Sequence, residues 1–184
     1  MGVGECMRVI ALDAETSKLP VFHPWQEAAF LVAVGIVDES GFKKTWLYNH
    51  DQYVPSMSQR QVTADIQQEI DKSDRIVGQY LKFDLNWLRK IGLDFSKQQL
   101  YCTKLADYLI NGQAQLRYDM DSIANRWGVP RKLDRVKVYW EAGYETSAIP
   151  LNILLPYLEQ DCFNTLAIYQ RQQPTLREKG LLNV

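Results

Sequence analysis

The order of elements predicted from the sequence is three strands, a helix, a further strand and then helices, which makes the chain α/β with a central mixed β-sheet flanked by helices. Three observations carry this. Arg8 to Leu12 and Ala29 to Val37 are short apolar runs rich in β-branched residues, of the kind buried on both faces of a sheet. After Ser58 the apolar residues switch to helical spacing. No internal repeat or low-complexity linker interrupts the chain, so it is read as one domain over 1–173 with a short tail over 174–184.

Each element has a local reason. Glu39-Ser40-Gly41 supplies turn chemistry before Phe42 to Tyr48, so the second and third runs are expected to pair as an antiparallel hairpin. Ser58 and Gln61 form a capping box, and Val62, Ile66 and Ile70 follow on one helical face to about Lys72. Arg75 to Gly78 is a brief strand. Leu85, Leu88 and Ile91 mark a helix over Phe83 to Ile91, capped by Gly92. Further helices are expected over Thr103 to Ile110 and Met120 to Trp127, the latter stopped by Gly128 and Pro130. A last long helix ends near Gln172; Pro156 either opens it or kinks a helix begun near Leu151, and Pro174 is taken as the end of compact order.

Composition bounds the function. A chain of 184 residues, 46% hydrophobic, buries roughly 70% of its unfolded surface and needs no metal or disulfide to fold. Lys+Arg 21 against Asp+Glu 22 gives a net charge of -1, which neither announces nor excludes a nucleic-acid partner, because a local basic stripe works on a neutral protein. Cys6, Cys102 and Cys162 are scattered and odd in number, consistent with a reduced compartment. With no leader pattern and no apolar stretch near the ~20 residues a membrane helix needs, a cytoplasmic protein without membrane contact is expected.

Three acidic clusters stand out. Asp13 and Glu15 alternate with Ala14 at the end of the first strand, so both carboxylates face the same side. Adjacent carboxylates repel, and oxygen ligands of this type suit Mg²⁺ or Mn²⁺; alone, the pair reads first as a surface turn with two solvated acids. Asp84 follows the fourth strand at the start of a helix, where the dipole also favours an acid. Ligands of open α/β sheets bind beyond the strand ends, where this carboxylate would join the first pair. Tyr157 and Asp161 are four apart and share an inward helical face, and a buried Asp needs a partner.

Taken together, Asp13-x-Glu15, Lys82-Phe83-Asp84-Leu85 and Tyr157-x-x-x-Asp161 resemble, in this order, the DEDDy branch of the DnaQ-like 3′-to-5′ exonucleases, which have a ribonuclease H-like fold and include the proofreading domain of family A DNA polymerases. Asp13 and Asp84 lie 71 residues apart, and Asp84 and Asp161 77 apart, room for the elements above. The resemblance runs from Met7 to Gln172. Tyr118 to Lys137 is similar to the helix and basic loop before the third motif, and Trp140-x-x-Gly143-x-x-Thr146-x-x-Ile149-Pro150 to the approach in stand-alone phage-type enzymes. Tyr157, with Pro156 where the histidine branch has His, sets the branch. His23 and His50 lie outside every motif and receive no catalytic role.

The resemblance implies that Asp13, Glu15, Asp84 and Asp161 hold two divalent cations, Mg²⁺ or Mn²⁺, for in-line hydrolysis of the terminal phosphodiester and release of a nucleoside 5′-monophosphate. Tyrosine's ordinary pKa near ~10 makes it a poor base at neutral pH, so Tyr157 is expected to orient the attacking water. Thr16, Leu19, Gln79 and Phe83 match positions near the substrate 3′ end, Leu19 as a wedge against a base. Tyr80 replaces the usual Asn, as a stacking group or a core residue, and Cys102-Thr103 replaces the common Asp-Thr. Arg131, Lys132, Arg135 and Lys137 form a basic concentration able to neutralise phosphates of an entering strand.

The expected substrate is DNA with a single-stranded or frayed 3′ end, in replication proofreading or DNA processing, acted on alone or beside a separate DNA polymerase, since no room for fingers and palm follows Gln172. Two alternatives stay open: an RNA-trimming enzyme resembling ribonuclease D, and a non-catalytic module binding nucleic acid or a polymerase.

Overall fold

The computed structural model describes residues 7–18, 23–112, 114–130 and 135–182, so Cys6, Leu19, Arg131 and Lys132 lie outside the described residues. In chain order the elements are β1 (Val9–Thr16), β2 (Leu31–Asp38), β3 (Lys43–Leu47), α1 (Gln59–Asp71), β4 (Arg75–Gly78), α2 (Lys82–Lys90), β5 (Gln99–Cys102), α3 (Thr103–Asn111), α4 (Met120–Arg126), α5 (Arg135–Glu141), a 3-10 turn at Thr146–Ala148, and α6 (Leu151–Glu178). The sheet order is β3-β2-β1-β4-β5. The expected hairpin is β2–β3, antiparallel like β1–β2, whereas β4 runs parallel to β1 and β5. The sheet is therefore mixed, with β1 at its centre.

Alternation along β1 sorts its side chains onto two cores. Ile10, Leu12 and Ala14 pack with Val62, Ile66 and Ile70 of α1 and Leu85 and Leu88 of α2. Val9 and Ala11 face the other layer, where Leu154, Leu158 and Cys162 of α6 and Val136 of α5 lie. Fully buried residues such as Ile10, Ile66, Leu154 and Leu158 each contribute about 1.5–3 kcal/mol relative to exposure. Apolar packing thus holds the fold without help from a metal.

The capping box at Ser58 forms as expected: its hydroxyl accepts from the Gln61 N–H, and the Gln61 side chain accepts from the Ser58 N–H at 2.9 Å. Sequence reasoning missed β5, α5 and the 3-10 turn. β5 has only four residues with no two-residue period, and pairs with β4 alone. α5 occupies seven residues that include part of the expected basic loop, and only Val136 on it is buried.

The last helix also differs from expectation. It begins at Leu151, contains Pro156, and runs through Pro174 to Glu178 with Leu176 buried, instead of ending near Gln172. A helical proline frees the carbonyl four residues earlier. Here Pro156, Asn152, Pro174 and Gln170 are all exposed, so water can satisfy both carbonyls. The two prolines are 18 residues, about five turns, apart and share the solvent side.

Candidate active site

Asp13 and Glu15 leave β1 on its α6 side, because Ala14 between them packs into the opposite core. The β1–β2 register shifts at Glu15/Thr16, an irregularity that re-aims side chains at the strand end. α6 reaches these carboxylates because Asp13 pairs with Gly35 of β2. A Cβ on Gly35 would lie 2.9 Å from Leu158 Cγ and 3.0 Å from Cys162 Sγ, so only glycine allows the helix so close. Asp161, next to Cys162, is buried there. One ligand oxygen each of Asp13, Glu15 and Asp161 lie within 4.8 Å of one another.

Asp84 abuts this group from the sheet's other flank. The chain turns sharply from β4 into α2, and Gly78 eases that turn: a Cβ there would sit 3.0 Å from Leu81 Cβ and 3.2 Å from the Leu81 backbone Cα. The turn places Asp84 in the first turn of α2, almost fully buried. β4 pairs with β1 only as far as Ala11, and beyond that ladder the Asp84 carboxylate accepts the Ala14 N–H at 3.2 Å. Burial, and then the charges of Asp13 and Glu15, push the Asp84 carboxyl well above the usual range, against hydrogen bonds from its own backbone and Ala14. Burial and the same acids raise the Cys162 thiol behind the site. Four carboxylates therefore gather where β1 ends, three in mutual ligating reach and the fourth bonded to the strand between the first two.

Tyr157 is half-buried one turn before Asp161. Trp140 of α5 meets it edge to face, ring centres 5.9 Å apart and planes at 88°. The Trp140 indole N–H donates to the buried Thr146 hydroxyl at 3.2 Å. Its carbonyl accepts from the Lys18 ammonium, while the Lys18 N–H donates to Glu145. The end of β1 is thus clasped to the segment before α6. Between them a slot of about 290 Å³ is lined by Glu15, Thr16, Phe83 and Trp140, among others. Two larger clefts, of about 590 and 740 Å³, include none of the four acids.

Thr16 and Phe83 both line this slot. Gln79 is instead held from two sides, its amide donating to the Tyr118 carbonyl at 3.3 Å and its oxygen accepting from the Thr103 hydroxyl. Tyr80 is 51% exposed, so the core-packing option is excluded. Arg135 and Lys137 are exposed on α5, with Lys137 3.7 Å from Glu141. His50 is buried and structural: its Nε2–H donates to the Ile149 carbonyl at 2.8 Å and its Nδ1 accepts from the Gln52 N–H at 3.1 Å. Sequence reasoning gave no role to Trp140, Lys18 or Lys104. The Trp140-x-x-Gly143 pattern was the one available signal, and the clasp partner Lys18 lies more than a hundred residues away.

No protein-family model matches the chain. Among solved structures, a nuclease in its apo form superposes with TM-score 0.68 at 18% identity, over 95% of this chain and 75% of that one. NrnC of Brucella melitensis bound to pGG gives 0.64 at 18% identity, over 94% and 75%. The POL domain of Pol1 from M. smegmatis, in complex with DNA primer-template and dNTP, gives 0.60 at 15%, over 96% of this chain but 25% of that one. Likeness at such identities is a likeness of fold, and the chain has the ribonuclease H-like α/β fold. Among the described residues no helix is long and apolar enough to cross a membrane.

Proposed function

We propose that this protein is a divalent-metal-dependent 3′-to-5′ exonuclease that removes nucleoside 5′-monophosphates from single-stranded or frayed DNA ends. The observation that carries it is the meeting of Asp13, Glu15 and Asp161 oxygens within 4.8 Å, with Asp84 bonded to the strand between the first two. The donor set fits the cation: all are hard carboxylate oxygens, and crowding them at a strand end is costly unless positive charge is shared among them. The nuclease structures with the same fold agree with this reading.

Asp13, Glu15 and Asp161, with Asp84 beside them, would hold Mg²⁺ or Mn²⁺. Two such ions, when bound, supply a water of lowered pKa and stabilise charge on the leaving 3′-oxygen. Tyr157, whose ring meets Trp140 edge to face, would orient the attacking water through its hydroxyl. Thr16, Phe83 and Trp140 bound a slot of about 290 Å³, just under the about 300–1,000 Å³ usual for small-ligand sites and a size for one nucleoside, which suits a single-stranded or frayed end. Leu19, Arg131 and Lys132 remain proposed contacts to the terminal base and the incoming phosphates.

The test is digestion of matched 5′-labelled DNA and RNA oligomers with Mg²⁺. The expected result is a stepwise ladder and free deoxynucleoside monophosphate, lost in Asp161→Ala. Preference for RNA would move the substrate to RNA trimming. Absence of product from both oligomers, with Mn²⁺ as well, would leave a binding module.

A further inference from the structure

Tyr80 departs from ordinary backbone behaviour. With φ +57° it is the one non-glycine residue of left-handed conformation among the described residues. That region is costly for a bulky side chain and comfortable for Asn or Gly. The turn itself needs the conformation: the Tyr80 carbonyl accepts the Phe83 N–H at 2.8 Å as the chain enters α2. Nothing in that turn needs a phenol ring, since half of Tyr80 faces solvent.

The ring's neighbour explains its retention. The Lys104 ammonium lies 4.2 Å from the ring centre, a cation held against an aromatic face. Lys104 follows Thr103, which fixes Gln79, so ring and cation are anchored to the turn that carries Asp84. One turn along α3, exposed Tyr108 meets Tyr118 edge-on at 5.7 Å, and the Arg126 guanidinium, itself paired with buried Asp107, backs the Tyr118 ring at 5.5 Å, which leaves Lys104 as the cation offered to the strand. Aromatic faces interleaved with cations are the surface that single-stranded nucleic acid takes, bases on rings and phosphates on charges.

We propose that Tyr80 and Lys104 form a stacking platform for a base of the single strand outside the cleavage slot, and that the left-handed turn is kept at a stability cost for this purpose. This rests on the exonuclease reading and extends it to a second point of substrate contact. Lys104 neutralises a phosphate beside the stacked base, and the strand continues along the exposed face of α3 toward Tyr108.

The experiment is equilibrium binding, by fluorescence anisotropy in Mg²⁺, of a 5′-labelled oligothymidylate whose 3′-terminal linkage is a hydrolysis-resistant phosphorothioate, together with Tm. Tyr80→Asn should raise Tm by about 2–4 °C and weaken binding roughly tenfold. Tyr80→Phe should bind within about twofold of wild type. Lys104→Ala should lower the slope of log affinity against log salt by about one. Moving a single abasic position along the strand should find one place where wild type and Tyr80→Asn bind alike. Equal binding by wild type and Tyr80→Asn, or a fall in Tm without loss of affinity, overturns the platform and leaves the exonuclease reading standing. A wild type that binds no strand brings down both.

Discussion

At the scale of single residues, the site is a concentration of like charge that the surrounding core can tolerate but not neutralise. Asp161→Asn keeps shape and removes one negative charge from a group whose oxygens lie within 4.8 Å. In EDTA its Tm should equal or exceed that of wild type, because repulsion is relieved while apolar packing is untouched. Mg²⁺ at about a hundred times its Kd should stabilise wild type by about 2.7 kcal/mol, a Tm rise of roughly 5–10 °C for a chain of this size. Asp161→Asn should lose most of that rise, together with more than the roughly 10–100-fold activity that removing an outer-shell partner costs. An undiminished Mg²⁺ shift, followed by differential scanning fluorimetry, would remove Asp161 from the metal set. These acids were legible in the sequence because charges at the end of an apolar strand or on an inward helical face violate the pattern around them. Trp140 was not legible as a wall of the slot: its anchors, Lys18 and Thr146, are ordinary surface-type residues until the fold joins them.

At the scale of elements, the site depends on how closely α6 lies on β2. Gly35→Ala puts a methyl against Leu158 and Cys162. Overpacking of this kind costs about 1–3 kcal/mol, and here it also pushes Asp161 away from Asp13. Tm should fall by roughly 2–10 °C and mononucleotide release should drop out of proportion to the fraction unfolded; activity that simply tracks the folded fraction would show that helix spacing does not set the site. Pro174→Ala is the opposite case. The exposed proline forfeits a helical hydrogen bond, so the change should raise Tm by a few degrees and leave release unaltered, Pro174 being more than three turns from Asp161. The same helix shows what sequence reasoning could and could not see. Its inward face, with Leu154, Leu158 and Asp161, was plain from spacings of four and three residues, but its end was misjudged because Pro is normally a stop signal and the compensating exposure of Gln170 is a tertiary fact. β5 was invisible for a related reason: four residues with a polar start take strand form only because β4 offers them an edge.

At the scale of the molecule, one helical layer is tied to the sheet by ion pairs on the side remote from the α6 face. Arg8 at the foot of β1 bridges Asp38 of β2 at 3.0 Å and Glu69 of α1 at 3.2 Å; Lys72 adds a bond to Glu69, and Lys44 of β3 bonds Asp65 of α1 at 2.7 Å. At Asp65 the Lys44 bond outweighs burial, and with the Trp46 indole holds the carboxyl below its ordinary value. Burial is the largest influence on Asp38 and Glu69 and raises them, yet hydrogen bonds from Ser40 and Arg8 at the first, and from Lys72 and Arg8 at the second, leave both lowered. Carboxylates depressed in the folded state bind protons more readily when unfolded. Their contribution is therefore complete above the unfolded pKa of about 3.9–4.3 and is lost as pH falls through the lower folded values. In an Asp84→Asn background, which removes the opposing gain in stability that a raised carboxyl brings as pH falls, the urea midpoint should hold from pH 7 to about 5 and decline below about 4 as α1 loosens from the sheet. Asp65→Asn isolates one tie, since the amide oxygen can still accept from Trp46. The variant should be less stable at pH 7 by no more than about 1 kcal/mol, as befits a partly exposed pair. That gap should narrow as pH falls below about 4 and close once pH has passed below the lowered folded value, where wild-type Asp65 is itself protonated; a gap of constant size across this fall would mean that Asp65 contributes through shape or hydrogen bonding and not through its charge.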